Sequence, residues 1–230
     1  YSLLEGALRL KKLPDLCKGA DMPALALTDT NNMFAALEFS VAMAGAGVQP
    51  IIGCQVDLAY VKVQPGEKPR DPAPVVLLAQ SEAGYENLMK LNSCAYLDAE
   101  GQLPQVSVAE LQQYSDGLIC LSGGPDGPVG RLLRSGQRPK AEALMQALKD
   151  GFPDRLYVEL QRHPGDGGRE PTSLVEAHEA LLRRSHPRRV LQLLLRGLRR
   201  LRLVLGFLLL VPRLRRFLLL RFLLGRRVVV

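Results

Sequence analysis

Thr28, Asp29 and Thr30 close the apolar run of the stretch ALALTDTNN. A short apolar segment that ends in polar residues reads as a buried strand delivering side chains to a site. A carboxylate at such a place suits a metal ion or a proton, whereas the hydroxyl of Thr30 is a poor ligand. Metal-assisted hydrolysis needs several His and carboxylate groups to converge, and the chain has three His, none before His163. His163 sits in VELQRHPG, just after an apolar run; His178 and His186 fall in a stretch of quite different character. The glycine-rich SGGPDGPVG lacks the Lys-Ser/Thr pair with which a P-loop holds nucleotide and Mg²⁺, and reads as a turn. With no GxSxG or comparable nucleophile turn, neither a Ser-His-Asp nor a Cys-His arrangement is expected. Cys17, Cys54, Cys94 and Cys120 are far apart, without CxxC spacing, each within an apolar pattern. They read as buried free thiols of a protein from a reducing, cytoplasmic compartment.

The elements that would position these residues alternate. LPDLCKGA is a helix with Pro14 in its first turn, PALALTD a strand, and MFAALEFSVAMAGAG a helix closed by Gly45 and Gly47. PIIGCQVDLAYV and PVVLLAQ are strands, and EAGYENLMKLNSCAYL is an amphipathic helix with Leu88, Leu91 and Cys94 on one face. Ser107 and Glu110 have capping-box spacing at the start of SVAELQQY. The strand GLICLSGG, the helices VGRLLRSG and PKAEALMQALKD, and the strand RLYVELQRH complete the pattern. Such alternation predicts an α/β fold of parallel strands with crossover helices, suited to a (β/α) barrel with its chemistry at the strand carboxyl ends. A doubly wound open sheet is the alternative, although no GxGxxG follows the first strand.

Of the 230 residues, 47% are apolar, which is enough for a core, and the formal charge is +7. That charge is unevenly placed. Residues 1–180 hold 16 Lys and Arg against 23 Asp and Glu, while residues 181–230 hold 14 Arg, no Lys and no acid, among 19 Leu. The longest uncharged stretch of this tail, residues 203–212, is shorter than the roughly 20 apolar residues that span a bilayer. The tail could be a cationic helix on a membrane surface, an Arg-rich nucleic-acid segment, or the product of a shifted reading frame in a GC-rich gene. The shifted frame is the favoured reading, because an Arg-rich helix ordinarily interleaves acids or Lys and keeps a polar face. The chain starts at Tyr1 rather than Met, and an N-terminal truncation is expected.

Six blocks together carry a resemblance: YSLLEGALRL, MPALALTDTNNMFAALEF, PIIGCQVDL, VVLLAQSEAGYENLMKLNS, LICLSGGPDGPVGRLL and LYVELQRH. In order and spacing they resemble the polymerase and histidinol phosphatase (PHP) domain of bacterial replicative DNA polymerases, over about residues 1–176. The resemblance implies an α/β fold, a distorted (β/α)7 PHP barrel that is incomplete here, followed by a non-native-looking Leu/Arg-rich tail over residues 177–230. In metal-bearing members the barrel holds a cluster of ions at its strand ends, which would activate water for phosphoester hydrolysis.

Carried over position by position, the resemblance implies a degenerate site. Glu5 matches a retained carboxylate. Thr30 stands where active members have His, Gln55 where they have Glu, Pro74 or its neighbour where they have His, and Gly124 where they have Cys or His. Asp29 then reads as a structural hydrogen-bonding group rather than a ligand. Glu159, Arg162 and His163 belong to a shared block whose favoured role is ordering a loop, with a residual ligand or DNA-facing role as the alternative. The resemblance therefore implies a metal-free, structural PHP domain within a DNA-directed DNA polymerase, active with Mg²⁺ only through palm segments that this chain lacks. Its implied partners are the remainder of the polymerase subunit, the proofreading exonuclease subunit and, through the assembled enzyme, DNA; no membrane is implied. The alternative is a Zn- or Mn-dependent PHP phosphoesterase or 3′–5′ exonuclease.

Overall fold

The computed structural model describes residues 8–61, 71–97 and 103–159. The chain divides into two compact units, Tyr1–Glu159 and Leu160–Val230. The second unit, including Arg162, His163 and the Leu/Arg segment, lies outside the described residues, as does Glu5.

The described part of the first unit opens with a 3-10 turn, Leu10–Lys12, running into α1 (Leu13–Gly19), which carries Pro14 in its first turn, where a backbone N–H has no helical partner to lose. β1 (Ala24–Leu27) follows, then α2 (Ala36–Gly45). The end of α2 is a Schellman closure: Val48 N–H donates to Met43 O and Gly47 N–H to Ala44 O, each at 3.0 Å. It requires the left-handed φ of +75° that Gly47 supplies. β2 (Gln49–Ala59), β3 (Ala73–Ala79) and α3 (Glu82–Leu97) come next.

β4 (Val106–Ser107) leads directly into α4 (Val108–Gln113) through the capping box expected from Ser107 and Glu110. Glu110 N–H donates to Ser107 Oγ at 3.2 Å, and Ser107 N–H donates to the Glu110 carboxylate at 2.6 Å. β5 (Leu118–Leu121), α5 (Pro128–Arg134), α6 (Arg138–Gly151) and β6 (Leu156–Tyr157) complete the described elements. No described helix is long and apolar enough to cross a membrane.

The strands form one sheet in the order β1-β2-β3-β5-β6, with β4 pairing the second half of β2. The sheet is not all parallel, as the alternation of elements suggests. β2 lies antiparallel to β3 and β3 antiparallel to β5, while the β1/β2, β2/β4 and β5/β6 pairs are parallel. Among the described strands, β3 alone is thus reversed. The reason lies in the segment YVKVQPGEKPRDP between β2 and β3, which is rich in Pro and charge and has no apolar helical period. A parallel return needs a crossover, usually a helix.

Register divides the sheet into two faces. Cys54, Val56 and Leu58 of β2, Val75 and Leu77 of β3, and Leu118 and Cys120 of β5 are all sealed from solvent. The helices supply Phe39, Met43, Leu88, Leu91, Leu132 and Leu148 to the core. Phe39 and Met43 of α2 also pack with Cys17 and Val48, against Leu25, Leu27 and Ile52. On α3 the buried positions are Gly84, Leu88, Leu91 and Ala95. Cys94 is therefore not a buried thiol as its pattern suggests; it flanks the buried stripe and is partly exposed, unlike Cys17, Cys54 and Cys120. On the opposite face Gln55, Asp57, Val76, Leu78 and Ile119 are only partly buried.

Candidate functional site

Because β3 alone is reversed among the described strands, its amino end meets the carboxyl ends of β1, β2 and β5 at one end of the sheet. β1 stops as a regular strand at Leu27 but keeps its register beyond that point, since Thr30 still bridges Gln55. Gln55 N–H donates to Asp29 O at 3.0 Å and Asn31 N–H to Gln55 O at 2.8 Å. Across the sheet Thr30 opposes Gln55, Gln55 opposes Val76, Val76 opposes Leu121, and Leu121 opposes Tyr157. Residues directly opposite share a face, so this row lies on the partly open one.

The next row on that face holds Asp57 opposite Pro74. Gly123, two residues past Leu121, lies so close to the Pro74 carbonyl that a Cβ would overlap it. Gly123 and Gly124 both take left-handed φ values, +76° and +61°, as they enter the short 3-10 turn Gly124–Asp126. Gly124 is buried and brings no side chain to the site. Glu159, two residues past Tyr157, donates its N–H to the Oγ of buried Ser122 at 3.1 Å. The topology therefore gathers Thr30, Gln55, Pro74, Gly124 and Glu159 at one end of the sheet.

Thr30 and Gln55 engage each other: Gln55 Nε2 donates to Thr30 Oγ1 at 3.2 Å. Beside them is a tighter pair that the sequence reading passed over. Asn31 Nδ2 donates to Asp57 Oδ2 at 2.9 Å and, at 3.4 Å, to Pro104 O, while Asp57 N–H donates to Asn31 Oδ1 at 3.0 Å. Asn31 is buried and left-handed, with φ of +51°, a conformation that Asn accepts more readily than most residues. One side chain thus ties the end of β1 to β2 and to the chain before β4. Only the face of Asp57 could be read in advance, because it follows Gln55 by two along a strand and so shares its side of the sheet.

Asp29 goes the other way. Continued register sets it opposite Cys54, on the helix-covered face, and its Oδ2 is enclosed there. Cys54 Sγ donates toward Asp29 O at 3.3 Å and lies 3.5 Å from Asn32 O and from Asn92 Oδ1 of α3. Burial pushes the Cys54 thiol up to about 11, against the lowering influence of its Asn92 and backbone hydrogen bonds, and the nearby Asp29 charge adds to the rise. Burial alone pushes Cys120 up to about 12. Raised in this way, both thiols stay protonated near neutral pH, which disfavours either as a nucleophile.

Among the described residues gathered on the open face, Thr30, Asn31 and Gln55 offer only hydroxyl and amide groups. Divalent cations of this chemistry take carboxylate oxygens or imidazole nitrogens. Here Thr30 Oγ1 accepts a hydrogen bond from the Gln55 amide, and Asp57 Oδ2 accepts one from Asn31. Among the described residues no group of three or more His, Cys, Asp or Glu is placed to hold a metal ion.

The sequence matches the family described as PHP domain over residues 1–163. The chain belongs to the PHP domain family. Relatives named DNA polymerase III subunit alpha accompany this match. That of Caulobacter vibrioides is 46% identical over 174 residues, covering 74% of this chain and 15% of the relative. Those of Borreliella burgdorferi and Pseudomonas aeruginosa are 36% and 37% identical over 71% and 70% of this chain, each match covering 14% of the relative. The chain thus spans a small part of the length of the curated relatives it matches. Among solved structures, an amidohydrolase from Chromobacterium violaceum aligns with a TM-score of 0.39 and 15% identity, over 75% of this chain and 92% of that one. The family match and these relatives bear out the resemblance carried by the six sequence blocks.

Proposed function

We propose that this PHP domain is the metal-free, structural part of a bacterial replicative DNA polymerase alpha subunit. Within that subunit it braces the polymerase core and offers a surface to the proofreading exonuclease subunit. DNA is met only through the assembled enzyme, Mg²⁺ serves the polymerase centre rather than this domain, and the setting is the cytoplasm. The observation that carries the reading is the Gln55–Thr30 hydrogen bond, with the Asn31–Asp57 pair beside it. Polar side chains at the strand ends engage one another where a catalytic PHP site would need free ligands. The bond from Glu159 N–H to Ser122 supports a loop-ordering role for the block that includes Arg162 and His163. In this reading the domain extends to about residue 176, and residues 177–230 come from a shifted frame. Translation of the other two frames from about codon 165 would then restore acidic residues and a strand.

The test is hydrolysis of p-nitrophenyl phosphate and of DNA 3′ ends by the chain, with Zn²⁺ or Mn²⁺ added. No turnover above a metal-only blank is expected. Turnover that rises with metal and saturates would replace this reading with a PHP phosphoesterase or exonuclease.

A further inference from the structure

Leu88, Leu91, Asn92 and Ala95 are spaced i, i+3, i+4 and i+7 on α3, so Asn92 is a polar residue on the face that this helix turns to the sheet. Its amide is engaged on one side only. Asn92 Oδ1 meets the Cys54 thiol at 3.5 Å, while Nδ2 is sealed from solvent and has no acceptor among the described residues. A buried donor left unmet is costly, and buried amide groups of folded proteins nearly always bond to the chain or to an ordered water. Asp29 reaches the same thiol: Cys54 Sγ lies 3.3 Å from Asp29 O, and the Asp29 carboxylate Oδ2 is sealed on this face as well. Asn32 O, 3.5 Å from that sulfur, adds a backbone acceptor.

We propose that the covered face holds one ordered water between α3 and the end of β1, which accepts a hydrogen bond from Asn92 Nδ2 and donates one to the Asp29 carboxylate. The chemistry of these groups selects the occupant. It must accept from an amide, which a metal cation or an ammonium group cannot do, and it must sit against a carboxylate, which excludes an anion. Water does both and is small enough for a sealed layer. A carboxylate offers about four lone-pair sites, so Asp29 takes this bond alongside its other interactions. The water ties a helix to the residue just before Thr30. The covered face thereby helps to hold the strand end that presents Thr30 and Asn31 on the open side, and it does so whether or not the domain carries a metal.

The test is a crystal structure of the chain, alone or within its full-length polypeptide, at a resolution that shows ordered water. A single peak within about 2.7–3.2 Å of Asn92 Nδ2, and within the same reach of an Asp29 carboxylate oxygen, is expected. An Nδ2 bonded directly to a protein acceptor, an empty space beside it, or a peak with the anomalous signal and short contacts of a metal ion would each overturn the proposal. Asn92→Leu removes the donor while nearly keeping the volume, and the peak should vanish with it. A peak that persists in that variant would also overturn the proposal, because the site would then not depend on Asn92. Should Asn92→Leu fail to fold, the wild-type map decides alone.

Discussion

The two faces of the sheet have been held to different standards. On the helix-covered face, β2 presents Cys54, Val56 and Leu58, all fully buried. One position away on the same strand, Gln55 and Asp57 face the opposite side, where Thr30 and Asn31 meet them through hydrogen bonds. The first face fixes the architecture, because every atom there has packing partners to lose. The second could exchange ligands for amides and hydroxyls at little cost to the fold, provided that each polar group found a new partner.

Substitutions across that divide should show the contrast. Leu77→Ala, on the covered face, should cost about 2–5 kcal/mol in urea unfolding, since it opens a cavity in the sealed layer. The same face should also fail in alkali. Cys54 and Cys120 have pKa values raised from 9.0 to about 11 and about 12, so the folded state holds their protons more tightly than the unfolded state does. Their contribution to stability is complete below about pH 9 and lost as pH rises to 11–12. A Cys54→Ala and Cys120→Ala double variant should show a shallower fall over that window in pH-dependent denaturation.

Asn31→Ala crosses the divide, because Asn31 is buried but belongs to the polar network. It should cost about 2 kcal/mol by the same unfolding assay, from the lost Asp57 hydrogen bonds and the left-handed backbone, with Asn31→Gly recovering the backbone part. Thr30→Val should be mildest, about 1 kcal/mol or less, since it removes one neutral hydrogen bond at a partly open position. A loss at Thr30 as large as that at Leu77 would erase the distinction between the faces.

Much of this was legible in the sequence. The α3 boundaries, the Ser107–Glu110 capping box and the glycine closure of α2 follow from local spacing, because each depends on residues within one or two helical turns. The reversal of β3 was harder to read, since hydrophobic runs carry no direction; only the Pro-rich, charged segment between β2 and β3 hinted at it. At the site, Thr30 and Gln55 could be paired in advance by the resemblance. The Asn31–Asp57 bond could not, because it depends on β1 holding its register for three residues past its last regular pair. That same register turns Asp29 to the covered face, which side-chain chemistry alone could not reveal.

The most direct test is the metal content of the intact polymerase subunit after incubation with Zn²⁺, Mn²⁺ and Fe²⁺ and removal of free ions by gel filtration. A strand-end cluster that satisfies itself should leave an ion content that is unchanged by Gln55→Ala or Asp57→Asn. One or more ions retained per chain, and lost in either of those variants, would contradict it.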